Sequence, residues 1–577
     1  MLGAYASYFV LTLFALTIVG LIRYQNHPER VFGVLMLILI ATNLVTQQQV
    51  VASFANPGLL TLILLMVCSL ALEKTKLLRL VAGYVIQKSY NATWLRLYLL
   101  TTLSSAVLNN TAVVSTMLAP IRNNPHHPAS RLLLPLSYAA ILGGTLTLVG
   151  TSTNLIVNSM ALDAGLPGLH FFDFTLVGAC LVTFVGILLF GLSRFLPSYK
   201  VITTNPTDYF IDAKVQEGSE LIGKTIEANG LRNLESLFLV EILREGHLIS
   251  PVSPTEVLKA EDRLIFSGDI KKVTLLNQFD GLALFAYENG LPIDNLTEVV
   301  VRPESILAGK TLKKAGFRAL FDAAVVALRR DGEAISGKLG EQVLRPGDYL
   351  VLAVGEDFKS RRNINKNFFL ISGVTPDHML KGKQEKLAIG GFFLAIAAAA
   401  LGWVPLFQGM LLLLGLLLVS GCLQTNEVLQ RLPTQIWLII SSALLLSQAL
   451  ENSQALDGLK QWIAAHPQSF TPFTALVVVY LLTWVFTELV TNNAAAALAF
   501  PIAYGLASSL GADLHSFILV VAFGASASFV SPYGYQTNLM VYNAGQYRIQ
   551  DYVKVGLPIS LLYGVTVISA ISYFYGV

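Results

Sequence analysis

Apolar runs long enough to cross a bilayer recur through both ends of this chain, and they leave few folds open. They lie near 4–22, 31–49, 57–72, 132–160, 172–196, 387–403, 406–424, 434–450, 473–490, 515–545 and 555–576. A helix needs roughly 20 residues to cross the hydrocarbon core, and some of these runs hold more than one segment. With 54% hydrophobic and 13% charged residues, the chain reads as a polytopic all-α membrane protein. The first run has no basic stretch before it and no small-residue cleavage site, so it is expected to be a retained helix. Cys68, Cys180 and Cys422 lie far apart in apolar runs, a pattern of buried thiols rather than a metal or redox site. The net charge of +3 gives no footing for nucleic acid as a partner.

The charges are concentrated in one stretch. Residues 200–385 hold 24 of the 39 Lys/Arg and 26 of the 36 Asp/Glu, as a water-facing domain would. The expected division is a first membrane repeat (1–199), an insert (200–385) and a second membrane repeat (386–577). The insert repeats itself: Gly223-Lys224-Thr225 returns as Gly309-Lys310-Thr311, Arg244-Glu245-Gly246 as Arg330-Asp331-Gly332, and Asp262 as Asp348. A constant offset of 86 residues indicates two copies of one module, 200–290 and 291–385. The Glu-Gly and Asp-Gly pairs predict hairpin turns, and each copy reads as β-α-β-β-β, making the insert α+β. Gly-Lys-Thr lacks the earlier glycine of a phosphate-binding loop and is read as a strand-to-helix turn.

Basic residues outside the insert set the expected orientation. Fourteen of the 15, from Arg23 to Lys554, fall on one side, and Lys460 falls on the other. The positive-inside rule then places the insert in the cytoplasm and both termini outside, in a bacterial inner (plasma) membrane. Each half needs five crossings, leaving 92–121 and 471–506 over. Each leftover segment must enter and leave on the same face, and the two faces are opposite. They are expected to be re-entrant hairpins of an inverted repeat, which buried or cavity-lining backbone permits.

The hairpin tips carry Asn109-Asn110-Thr111 and Thr491-Asn492-Asn493, and each is followed by a glycine-led break, Gly150–Asn154 and Gly534–Asn538. Amides and hydroxyls supply oxygens for a hard cation and N–H or O–H donors for an oxyanion. Ser105 and Thr487 stand four residues before Asn109 and Thr491, a spacing that on a helix aligns each hydroxyl with its tip. The competing reading is helix caps and interhelical hydrogen bonds, weakened here by the matched occurrence in both halves. Pro120 and Pro501 are expected to close the return helices. The breaks are expected to divide helices at about 132–149/155–163 and 515–533/539–546. Glu488 is the one acid deep in an apolar run: either a proton-coupling group or cation ligand, or a hydrogen-bonded carboxyl holding the hairpin. His126 and His127 show no metal spacing and read as solvated. No nucleophile–base or metal constellation suggests an enzyme.

These motifs resemble the divalent-anion/sodium symporter family of the ion-transporter superfamily, which has Ser-Asn-Thr-like tips and Gly-Thr-x-Pro-Asn-like breaks. Asn109-Asn110-Thr111 matches the first tip with Asn for Ser, and Thr491-Asn492-Asn493 the second with Thr for Ser and Asn for Thr. Asn154 and Asn538 match the asparagines ending the breaks, while Thr153 and Thr537 stand where proline is frequent. The resemblance implies one sodium (Na+) site per half. Ser105, Asn109, Asn110, Gly150 and Asn154 would serve the first, and Thr487, Thr491, Asn492, Gly534 and Asn538 the second. It implies a substrate between the tips, near Asn110, Thr111, Thr151, Asn493 and Tyr535, and a homodimer in the lipid bilayer working as an elevator. Tyr535 is bulky where small hydroxyl residues are frequent, which weighs against dicarboxylates.

The insert is similar to paired TrkA-C modules, the C-terminal modules of potassium-conductance regulators, some of which bind nucleotides. Members carrying such a pair resemble the sulfate-transporting branch. The expected function is sodium-coupled uptake of a small divalent oxyanion, sulfate foremost. The alternative is a carrier for dicarboxylates or another anion, distinguished by nucleotide or ion sensing in the insert.

Overall fold

The computed structural model describes residues 5–577 except 25–26, 123, 199–208, 232–233, 235–236, 246, 250–251, 269–275, 277, 285–295, 303–304, 331–332, 336–338, 356, 359–360, 362, 373–379, 456 and 459–470. Lys460, Gly246, Asp331 and Gly332 therefore lie outside the described residues.

The first part of the chain is helical: α1 (Ala6–Arg23), α2 (Pro28–Ala41), α3 (Gln47–Phe54), α4 (Pro57–Glu73), α5 (Leu77–Val85), α6 (Tyr90–Ser105), α7 (Asn110–Arg122), α8 (Leu133–Gly144), α9 (Ser152–Asp163) and α10 (Thr175–Ser193). Among the described residues, ten strands and two short α-helices follow. The chain then returns to long helices: α13 (Lys383–Ala400), α14 (Leu406–Val419), α15 (Thr425–Gln430), α16 (Thr434–Asn452), α17 (Pro472–Leu489), α18 (Asn492–Leu510), α19 (Leu514–Ala525), α20 (Gln536–Ala544) and α21 (Ile549–Tyr575). Among the described residues, seven helices are long and apolar enough to cross a membrane. With the helical content, this makes the protein a polytopic membrane protein. The three cysteines are unbridged, Cys68 and Cys422 buried and Cys180 half-buried.

Helices α6 and α7 form one hairpin and α17 and α18 another. Both arms of the second are among the seven span-length helices, so length alone does not distinguish a re-entrant arm from a crossing one. Pro501 does not close its helix, because α18 runs on to Leu510; packed neighbours can make good the backbone bond that proline removes. The broken helices also open wider than expected. The breaks occupy 145–151, between α8 and α9, and 526–535, between α19 and α20. Glycines let neighbouring helices approach this irregular backbone. A Cβ at Gly178 on α10 would lie 2.6 Å from the Thr145 carbonyl oxygen, and one at Gly556 on α21 would collide with the Phe529 carbonyl.

Between these helical parts lie β1 (Tyr209–Val215), β2 (Leu237–Arg244), β3 (His247–Ile249), β4 (Arg263–Gly268), β5 (Leu282–Leu284), β6 (Leu296–Val301), α11 (Phe317–Phe321), β7 (Ala323–Arg330), β8 (Glu333–Ala334), β9 (Tyr349–Val354), α12 (Ile364–Asn367) and β10 (Phe368–Ser372). They form two antiparallel sheets, β3-β2-β4-β1-β5 and β10-β6-β9-β7-β8. Read from the other edge, the second order is the first repeated. Arg244 pairs with His247 and Arg330 with Glu333, so β2 and β7 each pair with the strand that follows them in the chain. The β-α-β-β-β reading needs correction. Each sheet has a fifth strand, and the described residues between β1 and β2 form turns rather than a helix, with only the five-residue α11 at the matching place. Glycines at positive φ, Gly223, Gly230, Gly309 and Gly316, interrupt any longer helix there. The Gly-Lys-Thr turns lead into isolated bridges, Thr225 to Val257 and Thr311 to Val343, not into helices.

Arg244 is bonded to Asp262 and Arg330 to Asp348, each pair at 2.7–2.8 Å through two nitrogens. Burial pushes the Asp348 carboxyl up from its usual range, while its bonds to Arg330 and the Arg345 backbone pull it back. The second sheet encloses a core of its own that includes Phe317, Phe321, Leu350 and Phe368.

Candidate functional site

The two hairpin tips and the two breaks converge on one cavity of about 920 Å³, lined by Asn109, Asn110, Thr111, Gly150, Thr151, Thr491, Asn492, Asn493, Gly534 and Tyr535. Helix termini create this polarity: where α6, α17, α8 and α19 stop, their last carbonyls lose intrahelical partners and need others.

The hydroxyls before the tips do not pair as the four-residue spacing predicts. Ser105 donates to Asn110 Oδ1 at 2.5 Å and lies 2.9 Å from the Ala140 carbonyl. Thr487 donates to Asn492 Oδ1 at 2.9 Å and lies 2.6 Å from the Ala525 carbonyl. The partner stands five residues on because α6 ends at Ser105 and α17 at Leu489, so helical alignment is lost at the tip. Each hydroxyl thereby ties its tip to the end of a broken helix.

Asn154 and Asn538 act on the breaks. Asn154 Nδ2 donates to the carbonyls of Thr147 (2.9 Å) and Gly144 (3.5 Å). Asn538 Nδ2 donates to those of Ser528 (2.8 Å) and Ser531 (3.5 Å). In both halves the amide reaches seven and ten residues back, bracing the unwound segment. Ser137 adds a bond to Asn538 Oδ1 at 2.7 Å. Gly150 packs so closely that a Cβ there would lie 2.5 Å from the Gly144 carbonyl oxygen, and one at Gly534 would collide with Ser528 Oγ.

The halves also bond to one another. Asn110 Nδ2 donates to the Tyr535 hydroxyl at 2.5 Å, which lies 3.2 Å from Thr151 Oγ1. Ser152 donates to Asn493 Oδ1 at 2.8 Å and Thr111 to Gln536 Oε1 at 3.2 Å. Position for position, the last two bonds are each other's counterparts across the halves. Tyr535 breaks the symmetry. Its counterpart, Thr151, is too short to reach Asn492 as Tyr535 reaches Asn110.

The tips therefore differ in how far they are satisfied. Asn109 Oδ1 accepts from Thr111 N at 2.9 Å and caps α7. In the second half, Thr491 makes no side-chain cap bond. Among the described residues, Thr491 Oγ1, Asn492 Nδ2 and Ser528 Oγ are buried without a hydrogen-bond partner. Buried polar atoms seldom stay unpaired. The hydroxyls of Thr491, Ser528 and Thr487 and the Asn492 amide oxygen are ligand types that suit a hard cation, and a Cβ at Gly534 would meet both Ser528 Oγ and the Thr487 carbonyl.

Glu488 sits next to this set, half-buried. Its Oε1 accepts from the backbone N–H groups of Phe529 and Val530, both at 3.0 Å, and Oε2 from that of Ser531 at 2.9 Å. It thus fastens α17 to the second break. The first half carries Ala106 there and uses Thr147 Oγ1, which donates to the Ala106 carbonyl at 2.5 Å. His127 is not solvated: its Nε2 is 2.8 Å from the Gln87 carbonyl and its ring packs edge-on against Tyr90.

This cavity belongs with a match to known proteins. The citrate transporter family, CitMHS, matches residues 26–524. The chain belongs to the CitMHS family. It is thus a transporter, consistent with its span-length helices. A protein of Chlamydomonas reinhardtii provisionally named a sulfur deprivation response regulator is 30% identical over 93% of this chain and 96% of its own length. An uncharacterized transporter of Synechocystis is 30% identical over 94% of this chain and 92% of its own length. Sodium/sulfate cotransporter 2 of Chlamydomonas reinhardtii is 28% identical over 61% of this chain and 42% of its own length.

Ser152, Gln536, Ser528 and Thr147 of this CitMHS-family transporter were not among the residues singled out for the site. Ser152 and Gln536 each follow the residue after a break glycine, and that shared place was the available signal. Ser528 and Thr147 lie inside the breaks and have no sequence signature.

Proposed function

We propose that this protein is a sodium-coupled symporter that imports a small divalent oxyanion, sulfate foremost. The observation that carries the reading is the meeting of two hairpin tips in one polar cavity, where two bonds between the halves are counterparts of one another. Such a midplane site between repeats suits alternating access rather than a continuous pore. Sodium would be held by Thr487, Thr491, Asn492 and Ser528 in the second half, and by Ser105 and Asn110 near Gly150 in the first. The anion would lie between the tips, at Asn110, Thr111, Thr151, Asn493 and the Tyr535 hydroxyl. Relatives named sodium/sulfate cotransporters support both ions.

The broader proposal includes inverted repeats with an elevator motion, a homodimer, and a cytoplasmic insert of two TrkA-C-like modules. The common strand order of the two sheets and their offset of 86 residues support the last. The citrate transporter match favours a second substrate, citrate.

Radiolabelled sulfate uptake into proteoliposomes, with and without a sodium gradient, tests the proposal. Uptake that rises with the gradient and resists excess citrate is expected. Equal uptake in both conditions would remove sodium coupling, and full competition by citrate with no sulfate transport would establish the second substrate instead.

A further inference from the structure

The cavity at the tips is walled partly by the second sheet and the turns around it. Arg302, Arg330, Arg345 and Lys366 line it together with Asn110 and Tyr535. That sheet is fixed in place by the first hairpin. Arg122, ending α7, bonds Glu298 at 3.0 Å and also the Tyr349 hydroxyl, which itself donates to Glu298 at 2.6 Å. Close packing continues at Gly347, where a Cβ would lie 2.6 Å from Asn543 Nδ2 on α20.

Among the described residues, the acids lining this space are already engaged. Glu73 pairs with Arg431 at 3.6 Å, Asp348 is bonded to Arg330, and Glu488 accepts three backbone N–H groups. Arg345 and Lys366 therefore leave this wall with excess positive charge. Arg345 and Lys366 are exposed toward it, and Arg302 lies over the Phe369 ring at 4.3 Å.

Comparison of the two sheets shows that this charge is not a general property of the module. Val301 N bonds the Asp348 carbonyl and Arg302 N that of Asn367, while Val215 N bonds the Asp262 carbonyl and Gln216 N that of Gly281. Arg302 thus corresponds to Gln216 and Lys366 to Asp280. The copy that faces the cavity has two cations where the other has a neutral residue and an acid. Arg345 corresponds to Lys259, basic in both.

We propose that the second sheet module forms an anion-binding vestibule at the insert-facing mouth of the cavity, in which Arg345 and Lys366 receive the divalent oxyanion between bulk water and the hairpin tips. The inference rests on the anion-carrier reading above. A mouth of one charge sign raises the local concentration of the opposite ion, and added salt screens that effect.

The test uses full-length protein in proteoliposomes, with sulfate titrated separately from the insert side and the opposite side at fixed sodium. The Arg345→Glu/Lys366→Glu variant changes two exposed side chains, and gel filtration checks its fold. Its KM from the insert side is expected to rise about tenfold at low ionic strength and about twofold in 0.5 M choline chloride. KM from the opposite side stays unchanged, and Lys259→Glu is silent. Unchanged KM from the insert side, or equal increases on both sides, overturns the vestibule. ATP that stabilises the wild type but not the variant, with sulfate KM unaltered, assigns the cations to a nucleotide and also overturns it. A wild-type protein that carries neither sulfate nor citrate overturns the carrier reading itself, and the vestibule with it.

Discussion

Glu488 offers the sharpest test of how the second break is held, and Glu488→Gln is the perturbation. The carboxylate accepts three backbone N–H groups, two on Oε1 and one on Oε2. Glutamine keeps one oxygen and can retain the bonds to Phe529 and Val530. Its NH₂ then faces the Ser531 N–H, donor against donor. One hydrogen bond to a charged acceptor is lost, worth about 1.5–3 kcal/mol, and a buried donor is left unpaired at about 1–3 kcal/mol. Because an amide is cheaper to bury than a carboxylate, the net destabilisation should be about 3 kcal/mol. Thermal unfolding in detergent should therefore begin at lower temperature, and sulfate uptake should fall with it. Glu488→Asp, which keeps the charge but shortens the side chain, should lie between. A proton-coupling role predicts the reverse pattern: wild-type stability, with the pH dependence of uptake abolished. That result from Glu488→Gln would refute the anchoring argument.

Three further outcomes are expected. Ser528→Ala removes a buried hydroxyl that has no hydrogen-bond partner, so stability should hold or rise by about 1–3 kcal/mol while the sodium concentration for half-maximal uptake rises about tenfold; a melt and a sodium titration check both. Tyr535→Phe deprives Asn110 of its 2.5 Å acceptor, about 1–1.5 kcal/mol, and should raise the sulfate KM about five- to tenfold in uptake assays. Arg122→Ala leaves Glu298 without its 3.0 Å partner and removes the cation over the Tyr349 ring at 5.0 Å. Limited proteolysis should then cut the insert faster, with the helical part intact.

Much of the helical layout was legible because burial in lipid demands long apolar helices, and those leave a direct mark in composition. The tips and breaks were legible as polar, glycine-led interruptions. What each amide does was not. A four-residue spacing predicts Ser105 beside Asn109 only while the helix continues, and here it stops at Ser105, which brings Asn110 to the hydroxyl instead. The seven- and ten-residue reach of Asn154 and Asn538 follows no helical or strand period. Local reading also overextended the insert's helices, since it gave too little weight to the glycines at positive φ.

The sequence by itself determined a polytopic chain with two sets of polar interruptions and a charged insert repeated at 86 residues. Those features are set by residue type and local order, through transfer into lipid and backbone preference. Only the tertiary structure decided that Tyr535 reaches Asn110 and Thr151, that Gly534 packs against both Ser528 and Thr487, and that the second sheet brings cations to the wall of the cavity. Tyr535 and Asn110 stand 425 residues apart. Their meeting depends on helix packing around the breaks, where close approach at Gly178 and Gly556 positions backbone that no periodicity describes.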